Sequence, residues 1–402
     1  MTDPRAQRRR PRDRRQQILT AAAEQFRSAG YHNVGMADIA EAVGITGAAV
    51  YRHFRSKRDL LLAVVQDAFD RFATVWAQDY EDLDALLSAI ATLSLQWPDI
   101  GVLWEREVVH FLPEQQHELR AQVLAAVAPV RAAIAGARPD LEPDVVDLLL
   151  WAVMALSASS GYHSVKLQPG RYRGRFVEAA HAICMTTSIA STHGRHVVPA
   201  SPAPKGKLLP ASRREAVLTT ATRLFSQYGY QSVGVDDIGA AVGITGATLY
   251  YHFTSKSAIL TAVLTRCFEA MFFDLAGALD TADSPGEALD LVLQSTVRAS
   301  IEHGTVIGAL LNEIGSLPAE EAQMLRQVRR DYVAEWVALL VAHRPGLSEA
   351  EAQVLVQATT SMVNSLLLVP HIAGRPTSGQ ELVTLGRAVL GLADQPVTAG
   401  NH

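Results

Sequence analysis

The stretch Val43-Gly44-Ile45-Thr46-Gly47-Ala48-Ala49-Val50-Tyr51-Arg52-His53-Phe54-Arg55-Ser56-Lys57 returns as Val242-Gly243-Ile244-Thr245-Gly246-Ala247-Thr248-Leu249-Tyr250-Tyr251-His252-Phe253-Thr254-Ser255-Lys256. The offset is 199 positions, and it runs without a gap from Arg14/Arg213 to Leu61/Leu260 with about half the pairs identical. Solenoid repeats have periods of roughly 20–50 residues, so a period this long marks two whole domains in one chain.

Outward from the stretch, the pattern is three short helices and the start of a fourth. The first spans about Asp13 to Ala29, with Ile18, Ala22 and Phe26 on one face and Gly30 as its stop. The second spans about Met36 to Val43, with Ile39 and Val43 pointing inward. Gly44 permits the tight turn, because glycine adopts a positive φ at little cost. Thr46 then caps a third helix that buries Val50 and Phe54. Two short helices joined by a glycine-containing turn form a helix-turn-helix, whose second helix lies in the DNA major groove.

The run Phe26…Gly30-Tyr31…Asp38-Ile39-Ala40…Gly44-Ile45-Thr46…Tyr51-Arg52-His53-Phe54…Lys57…Leu60-Leu61 resembles the tetracycline-repressor-like (TetR/AcrR) bacterial regulators, and the second copy resembles them equally. The likeness is strong over residues 13–61 and 212–260 and only architectural beyond them. It implies an all-α fold of two tandem units. Each has a three-helix DNA-binding head and a helical body for ligand binding and dimerisation. Family members usually carry one unit and pair as homodimers. Two units in one chain therefore imply an intrachain pseudo-dimer.

Composition agrees with such a fold. Aromatics are 6% of the chain, while Ala and Leu abound, which favours helix. The charged N-terminus lacks a following apolar core, so no signal peptide is expected. The longest apolar run, Leu148 to Leu156, falls short of the about 20 residues that span a bilayer. Cys184 and Cys267 read as buried small hydrophobes rather than a disulfide. A cytoplasmic protein with no membrane partner is the expectation. The net charge of −5 conceals a basic excess in residues 1–61 and 203–261, balanced by acidic bodies. Basic heads on acidic bodies fit double-stranded DNA contact at the heads only.

Residues 1–12 form a basic arm with Arg5, Arg8, Arg9, Arg10 and Arg12, read either as a solvated tail or as an arm along phosphates or in the minor groove. The second helix of each head starts at Gly35 or Gly234, where the family more often has Ser or Thr; backbone N–H groups there still attract phosphate. Asp236, opposite Ala37 of the first head, reads as an acceptor for a cytosine amino group or as a favourable first-turn charge.

Within the third helices, the small Gly47, Ala48, Ala49 and Gly246, Ala247, Thr248 permit close approach to DNA, beside the caps Thr46 and Thr245. By resemblance, Tyr51 and Tyr250 touch the backbone or a thymine methyl, and His53 and His252 touch phosphate or sugar. Arg52 is the strong hydrogen-bonding group for guanine or phosphate, with Tyr251 as its counterpart. Ser56 and Ser255 cap the fourth helix. Lys57 and Lys256 follow in its first turn, where a cation opposes the helix dipole, so phosphate contact is the reading for both.

The bodies are residues 62–190 and 261–393, joined by a Pro/Ala-rich linker at 191–211 and followed by a tail at 394–402. The linker extends to roughly 70 Å, enough to serve heads about 34–36 Å apart, one turn of DNA. Its His193 and His196 do not make a metal site. Helices are expected at 57–79, 83–96, 100–112, 114–135, 143–167, 173–190 and about 379–392. Candidate pocket residues for a small hydrophobic effector are Trp104, Phe111, Trp151, Tyr162 and His163 in the first body and Phe272, Trp336 and Asn364 in the second; each is also an ordinary core candidate. No cofactor, metal or catalytic motif is found: there is no P-loop, dinucleotide fingerprint, zinc spacing or nucleophile elbow.

The function expected is a DNA-binding transcriptional regulator, a repressor released by a hydrophobic effector, which reads an imperfect palindrome with two heads from one chain. Alternatives are a homodimer of fused chains with four heads and a helical protein–protein regulator that no longer binds DNA.

Overall fold

A computed structural model describes residues 11–98, 111, 113–162, 167–187, 189, 210–302 and 313–392. The arm at 1–10, residues 191–209 of the linker, the tail, Trp104 and His163 lie outside the described residues, as does the Tyr162 side chain. The described residues are helical, with no strand among them.

In the first repeat the helices are α1 (Pro11–Ala29), α2 (Met36–Ala42), α3 (Gly47–Tyr51), α4 (Lys57–Trp76), α5 (Leu83–Gln96), α6 (Pro113–Ala137), α7 (Pro143–Ala158) and α8 (Pro169–Met185). In the second they are α9 (Arg213–Tyr228), α10 (Val235–Val242), α11 (Gly246–His252), α12 (Lys256–Thr281), α13 (Pro285–Glu302), α14 (Ala319–His343), α15 (Glu349–Leu367), α16 (Pro370–Ala373) and α17 (Ser378–Leu390). Pro113, Pro143, Pro169, Pro285 and Pro370 each open a helix, where the missing N–H costs nothing. The expected 143–167 helix stops at Ala158 and gives way to a 3₁₀ turn, Ser159–Tyr162.

The chain divides into two compact units that cut across the sequence repeats. One comprises residues 1–139 and 157–164; the other comprises 140–156 and 165–402. In the first unit, α1 to α3 pack on α4, which packs on α6. Its core joins Ile18, Phe26, Ile39, Val50, Leu60 and Leu61 to Phe111 and Leu119 from below the head. The second unit repeats this arrangement with Val217, Phe225, Ile238, Leu249, Ile259 and Leu260, closed from below by Ile314, Leu317 and Leu325.

The second unit also contains most of α7 and all of α8, the last helices of the first repeat. Here α8 packs against α15 and α17, and α17 packs against α13 and α15. The buried residues of α8 are Tyr172, Phe176, Ala179, Ala180, Ile183 and Cys184; in α17, besides the carboxylate Glu381, Ser378, Leu382, Leu385, Gly386, Val389 and Leu390 are buried. The two sets correspond one for one at an offset of 206. The same offset carries the buried Val145, Leu148, Leu149, Ala152 and Val153 of α7 onto Glu351, Val354, Leu355, Ala358 and Thr359 of α15. Equivalent helices of the two repeats thus bury equivalent faces. The Gly386 Cα lies so close to Leu293 that an added Cβ would come within 2.7 Å of its side chain.

The helices at 114–137 and 143–161 are long and apolar enough to cross a membrane by length and composition; 61% of the apolar window in the second is buried inside the protein.

Candidate nucleic-acid interface

Each head builds the same local frame from the same residues. Gly44 (φ 67°) and Gly243 (φ 74°) take the left-handed conformation in the turn, which a side chain would strain. The amide of the next residue then bonds back across the turn, Ile45 N to Ala40 O and Ile244 N to Gly239 O, both at 2.9 Å. These bonds fix the angle at which α3 leaves α2 and α11 leaves α10.

Helix starts are satisfied by side chains. Asp59 N donates to Ser56 Oγ at 3.1 Å and Ala258 N to Ser255 Oγ at 3.0 Å, as expected for caps. Thr245 accepts from Thr248 N at 3.3 Å, but Thr46 is the N-cap of α3 without a side-chain bond. Thr46 thus holds the cap position expected from the sequence, without a hydroxyl bond. At α2 and α10 the amides of Gly35 and Gly234 each donate to Asp38 or Asp237 at 2.7 Å. The N-cap amides are thus taken by a carboxylate three residues on. The signal was present in the sequence as the capping spacing Gly-x-x-Asp, repeated in both copies.

The recognition helices present an exposed face. Tyr51 and Tyr250 are each 54% exposed and Tyr251 is 87% exposed, a large polar-tipped surface for helices whose opposite sides bury Val50 and Leu249. Thr46, Ala48, Arg52, His53, Thr245, Ala247 and Thr248 are exposed beside them; Gly47, Ala49, Gly246 and His252 are half-buried. Every candidate contact residue on the third helices is thus at least partly exposed. Asp236 sits against the start of α11, since a Cβ on Gly246 would lie 2.7 Å from its Oδ1. A carboxylate at that helix start is favoured by the dipole.

Lys57 and Lys256 have a role inside the fold. Lys57 Nζ donates to Tyr31 O at 2.6 Å and Val34 O at 2.8 Å, and lies 4.3 Å from the Tyr31 ring centroid. Lys256 Nζ donates to Tyr230 O at 2.9 Å and Val233 O at 3.0 Å, 4.4 Å from the Tyr230 ring. Those rings pack on Phe26 and Phe225, with centroids 5.5 and 5.1 Å apart. The lysine therefore ties the α1–α2 loop, or its α9–α10 counterpart, to the start of the fourth helix. Burial pulls the Lys256 ammonium below its usual value, and Glu313 pulls it the other way. The tie recurs in both heads, so the repeated lysine has a structural role beside the phosphate contact expected from the sequence. Lys256→Met is expected to cost about 1–3 kcal/mol, because the carbonyls of Tyr230, Gln231 and Val233 lose a charged donor; urea unfolding measures it, and a loss below about 0.5 kcal/mol would refute the tie.

Two further cation–π pairs escaped sequence reading: Arg15 lies 5.3 Å from the Phe54 ring and Arg214 lies 5.0 Å from the Phe253 ring. Both arginines lie at the start of the first helix of their head, nearly forty positions before the ring, so only the fold brings them against a residue just past the recognition helix.

The effector candidates fall in separate places. Phe111 is buried in the core below the first head. Trp151 is half-buried on α7. In the second unit Phe272 stacks edge-on with Tyr332 at 5.4 Å, and Tyr332 with the fully buried Trp336 at 6.3 Å. Burial pushes the Tyr332 hydroxyl above its usual value. Asn364 Oδ1 accepts from Ser300 Oγ at 3.5 Å. An apolar cavity of about 510 Å³ opens between α12 and α14, lined by Phe268, Phe272, Phe273, Met324, Leu325 and Val328. Of the candidates, Phe272 lines this cavity and Trp336 lies behind it through Tyr332.

Comparison with known proteins followed the same division. The model described as "Bacterial regulatory proteins, tetR family" matches residues 18–64 and again 217–263. A second, "Tetracyclin repressor-like, C-terminal domain", matches residues 282–368. Among curated proteins, the chain is 37% identical over 101 residues to the HTH-type transcriptional repressor KstR2 of Mycolicibacterium smegmatis, covering 25% of this chain and 49% of that protein. It is 46% identical over 65 residues to the HTH-type transcriptional activator FasR of the same organism, covering 16% and 30%. It is 28% identical over 166 residues to the repressor BepR of Brucella suis, covering 39% and 79%. The chain thus spans about half the length of the first relative and under a third of the second. Among solved structures, a TetR-family regulator from Bordetella parapertussis aligns at TM-score 0.40 and 18% identity, over 48% of this chain and all of that one. KstR2 of Mycobacterium tuberculosis aligns at TM-score 0.37 and 21% identity, over 46% and 97%.

Proposed function

Since the chain belongs to the TetR family and carries two family units in tandem, we propose that it is a sequence-specific DNA-binding transcriptional regulator whose two heads read one operator. The observation that carries this reading is the doubled recognition surface: an exposed tyrosine, flanked by small residues, on a helix fixed by the same glycine turn in both heads. Packing of α8 on α15 and α17 supports a one-chain pseudo-dimer, in which the last two long helices of each repeat form a four-helix bundle. The heads differ at Ala49/Thr248, Val50/Leu249 and Arg52/Tyr251. The operator is accordingly an imperfect palindrome with its halves about one helical turn apart.

The regulator acts as a repressor, and a hydrophobic effector releases it. The apolar cavity between α12 and α14 supports a lipid-like, acyl-CoA or drug-like ligand class. Release needs a ligand that prefers the non-binding state by a few kcal/mol.

Footprinting on the DNA upstream of its own reading frame, at several salt concentrations and with the mass of the complex, tests this. One protected site with one chain per site and affinity falling steeply with salt is the expected result. Two chains on a longer footprint would replace it with a four-headed homodimer. No protected sequence, even from a random-sequence selection, would overturn DNA binding and favour a protein–protein regulator.

A further inference from the structure

The face where the repeats meet within the second unit carries charge pairs that do not obey the repeat. Arg171 Nη2 lies 3.0 Å from Glu351 Oε2 and Arg175 Nε lies 3.4 Å from Glu351 Oε1, joining α8 of the first repeat to α15 of the second. Arg344 pairs with Glu178, again across the repeats. Arg375 Nη1 reaches Asp144 at 3.2 Å, a third arginine crossing beside the more exposed His371–Asp147 contact at 3.6 Å.

The offset of 206, which maps the buried faces onto each other, gives the equivalents of these residues. Arg175 corresponds to Glu381, Arg171 to Thr377, and Glu351 to Val145. Glu178 corresponds to Thr384 and Arg344 to Arg138; Asp144 corresponds to Ala350 and Arg375 to Pro169. None of the three crossings therefore has a charged pair at its equivalent place. The apolar faces are alike, but the charges on them are not.

Pairing like with like through this face gives a different outcome for each repeat. If two second repeats met with the same geometry, Glu381 of one would take the place of Arg175 opposite Glu351 of the other. Those carboxylates are 4% and 2% exposed; Arg375 already balances Glu381, so Glu351 would be left buried with no cation of its own, which is strongly unfavourable. If two first repeats met, Arg171 and Arg175 would face Val145 in place of Glu351, and Arg175 would keep only Glu178 of its own helix. Only the unlike pairing satisfies all three crossings.

We propose that Glu351 with Arg171 and Arg175, together with Glu381 at the place equivalent to Arg175, is a recognition code that makes the first repeat pair with the second and makes the second reject copies of itself. An apolar family-type dimer face alone does not distinguish the partners, because both repeats bury equivalent residues. The charges make that distinction, and so direct the fused chain away from open-ended assembly through identical faces. The code rests on the pseudo-dimer reading for its biological use.

The test uses the full chain, with light scattering for mass and thermal unfolding for stability. Wild type is expected at the 43.4 kDa mass of one chain. Glu351→Arg places an arginine against Arg171 and Arg175 but suits Glu381 of a second chain. It is expected to lower Tm by about 10 °C and to shift the mass toward two chains as concentration rises. Adding R171E and R175E to E351R is expected to return the mass to one chain. Tm then recovers to within a few degrees, the remainder being the Ser348–Glu351 cap, which the reversal does not rebuild.

An E351R chain with unchanged mass and Tm would overturn the code, and so would a triple variant that recovers neither. If E351R only unfolds, a triple variant that refolds supports the code and one that stays unfolded overturns it. A wild type of two chains would instead overturn the one-chain assembly, while recovery of Tm in the triple variant still reports on the code.

Discussion

Arg375→Ala is expected to destabilise the second compact unit by about 3–5 kcal/mol, the cost of stranding a buried charge. The guanidinium is only 8% exposed. Its Nε lies 3.0 and 2.9 Å from the two Glu381 oxygens and its Nη2 lies 2.9 Å from Oε1, a forked contact. Its Nη1 donates to the Asp144 backbone and carboxylate, both at 3.2 Å. Without the arginine, Glu381 keeps the Thr377 hydroxyl at 2.9 Å as its hydrogen-bond donor but loses the charge that balances it. An exposed pair such as Arg298–Asp274, at 3.6 Å, is worth about 0–1 kcal/mol and serves as the control. Arg375→Lys recovers little, because an ammonium does not reproduce the fork. Urea unfolding checks the series; a loss under about 1 kcal/mol for Arg375→Ala would show that water rescues Glu381.

Phe225→Ala is expected to have the largest effect on DNA binding. The ring is buried at the centre of the second head's core. Removing it costs about 3–5 kcal/mol, enough to loosen the head that α9 to α11 build. In the two-headed reading, one head holds the other near its half-site, and such linkage is worth about 10²–10⁴-fold in affinity. Operator affinity is therefore expected to fall by about that factor, with weak half-site binding retained through the first head. Phe26→Ala should mirror the effect at the other half-site. Anisotropy titrations on full and half operators measure both. Unchanged affinity for the full operator, with the second head shown by circular dichroism to be loosened, would mean that one head suffices.

The two variants probe different distances along the chain, and that difference decides what was legible. The heads could be read from sequence because their determinants are local. Gly44 and Gly243 take their positive φ within a few residues of the bonds they permit. Ser56 and Ser255 cap helices three residues away. Tyr51 and Tyr250 show their exposed register by helical period alone. Lys57 was harder, because its partners Tyr31 and Val34 lie more than twenty positions earlier. The dipole argument weighed only its own helix and left phosphate as the remaining explanation.

The bodies depended on contacts of longer range. Phe111, Trp151, Phe272 and Trp336 look alike in sequence, as large rings on apolar helices. Only packing separates a residue in the core below a head from one lining a cavity. The pairs Arg171–Glu351 and Arg375–Asp144 join residues 180 and 231 positions apart, where no periodicity reports. By itself, the sequence determined that there are two like units, that each carries a helix-turn-helix head, and which face of its third helix meets solvent. Tertiary structure alone decided which charges cross between the repeats, and that the lysines hold loops. The reason is physical: caps, turns and helical faces are set by neighbours within one or two turns, whereas charge pairing and burial depend on which helices the folded core brings together.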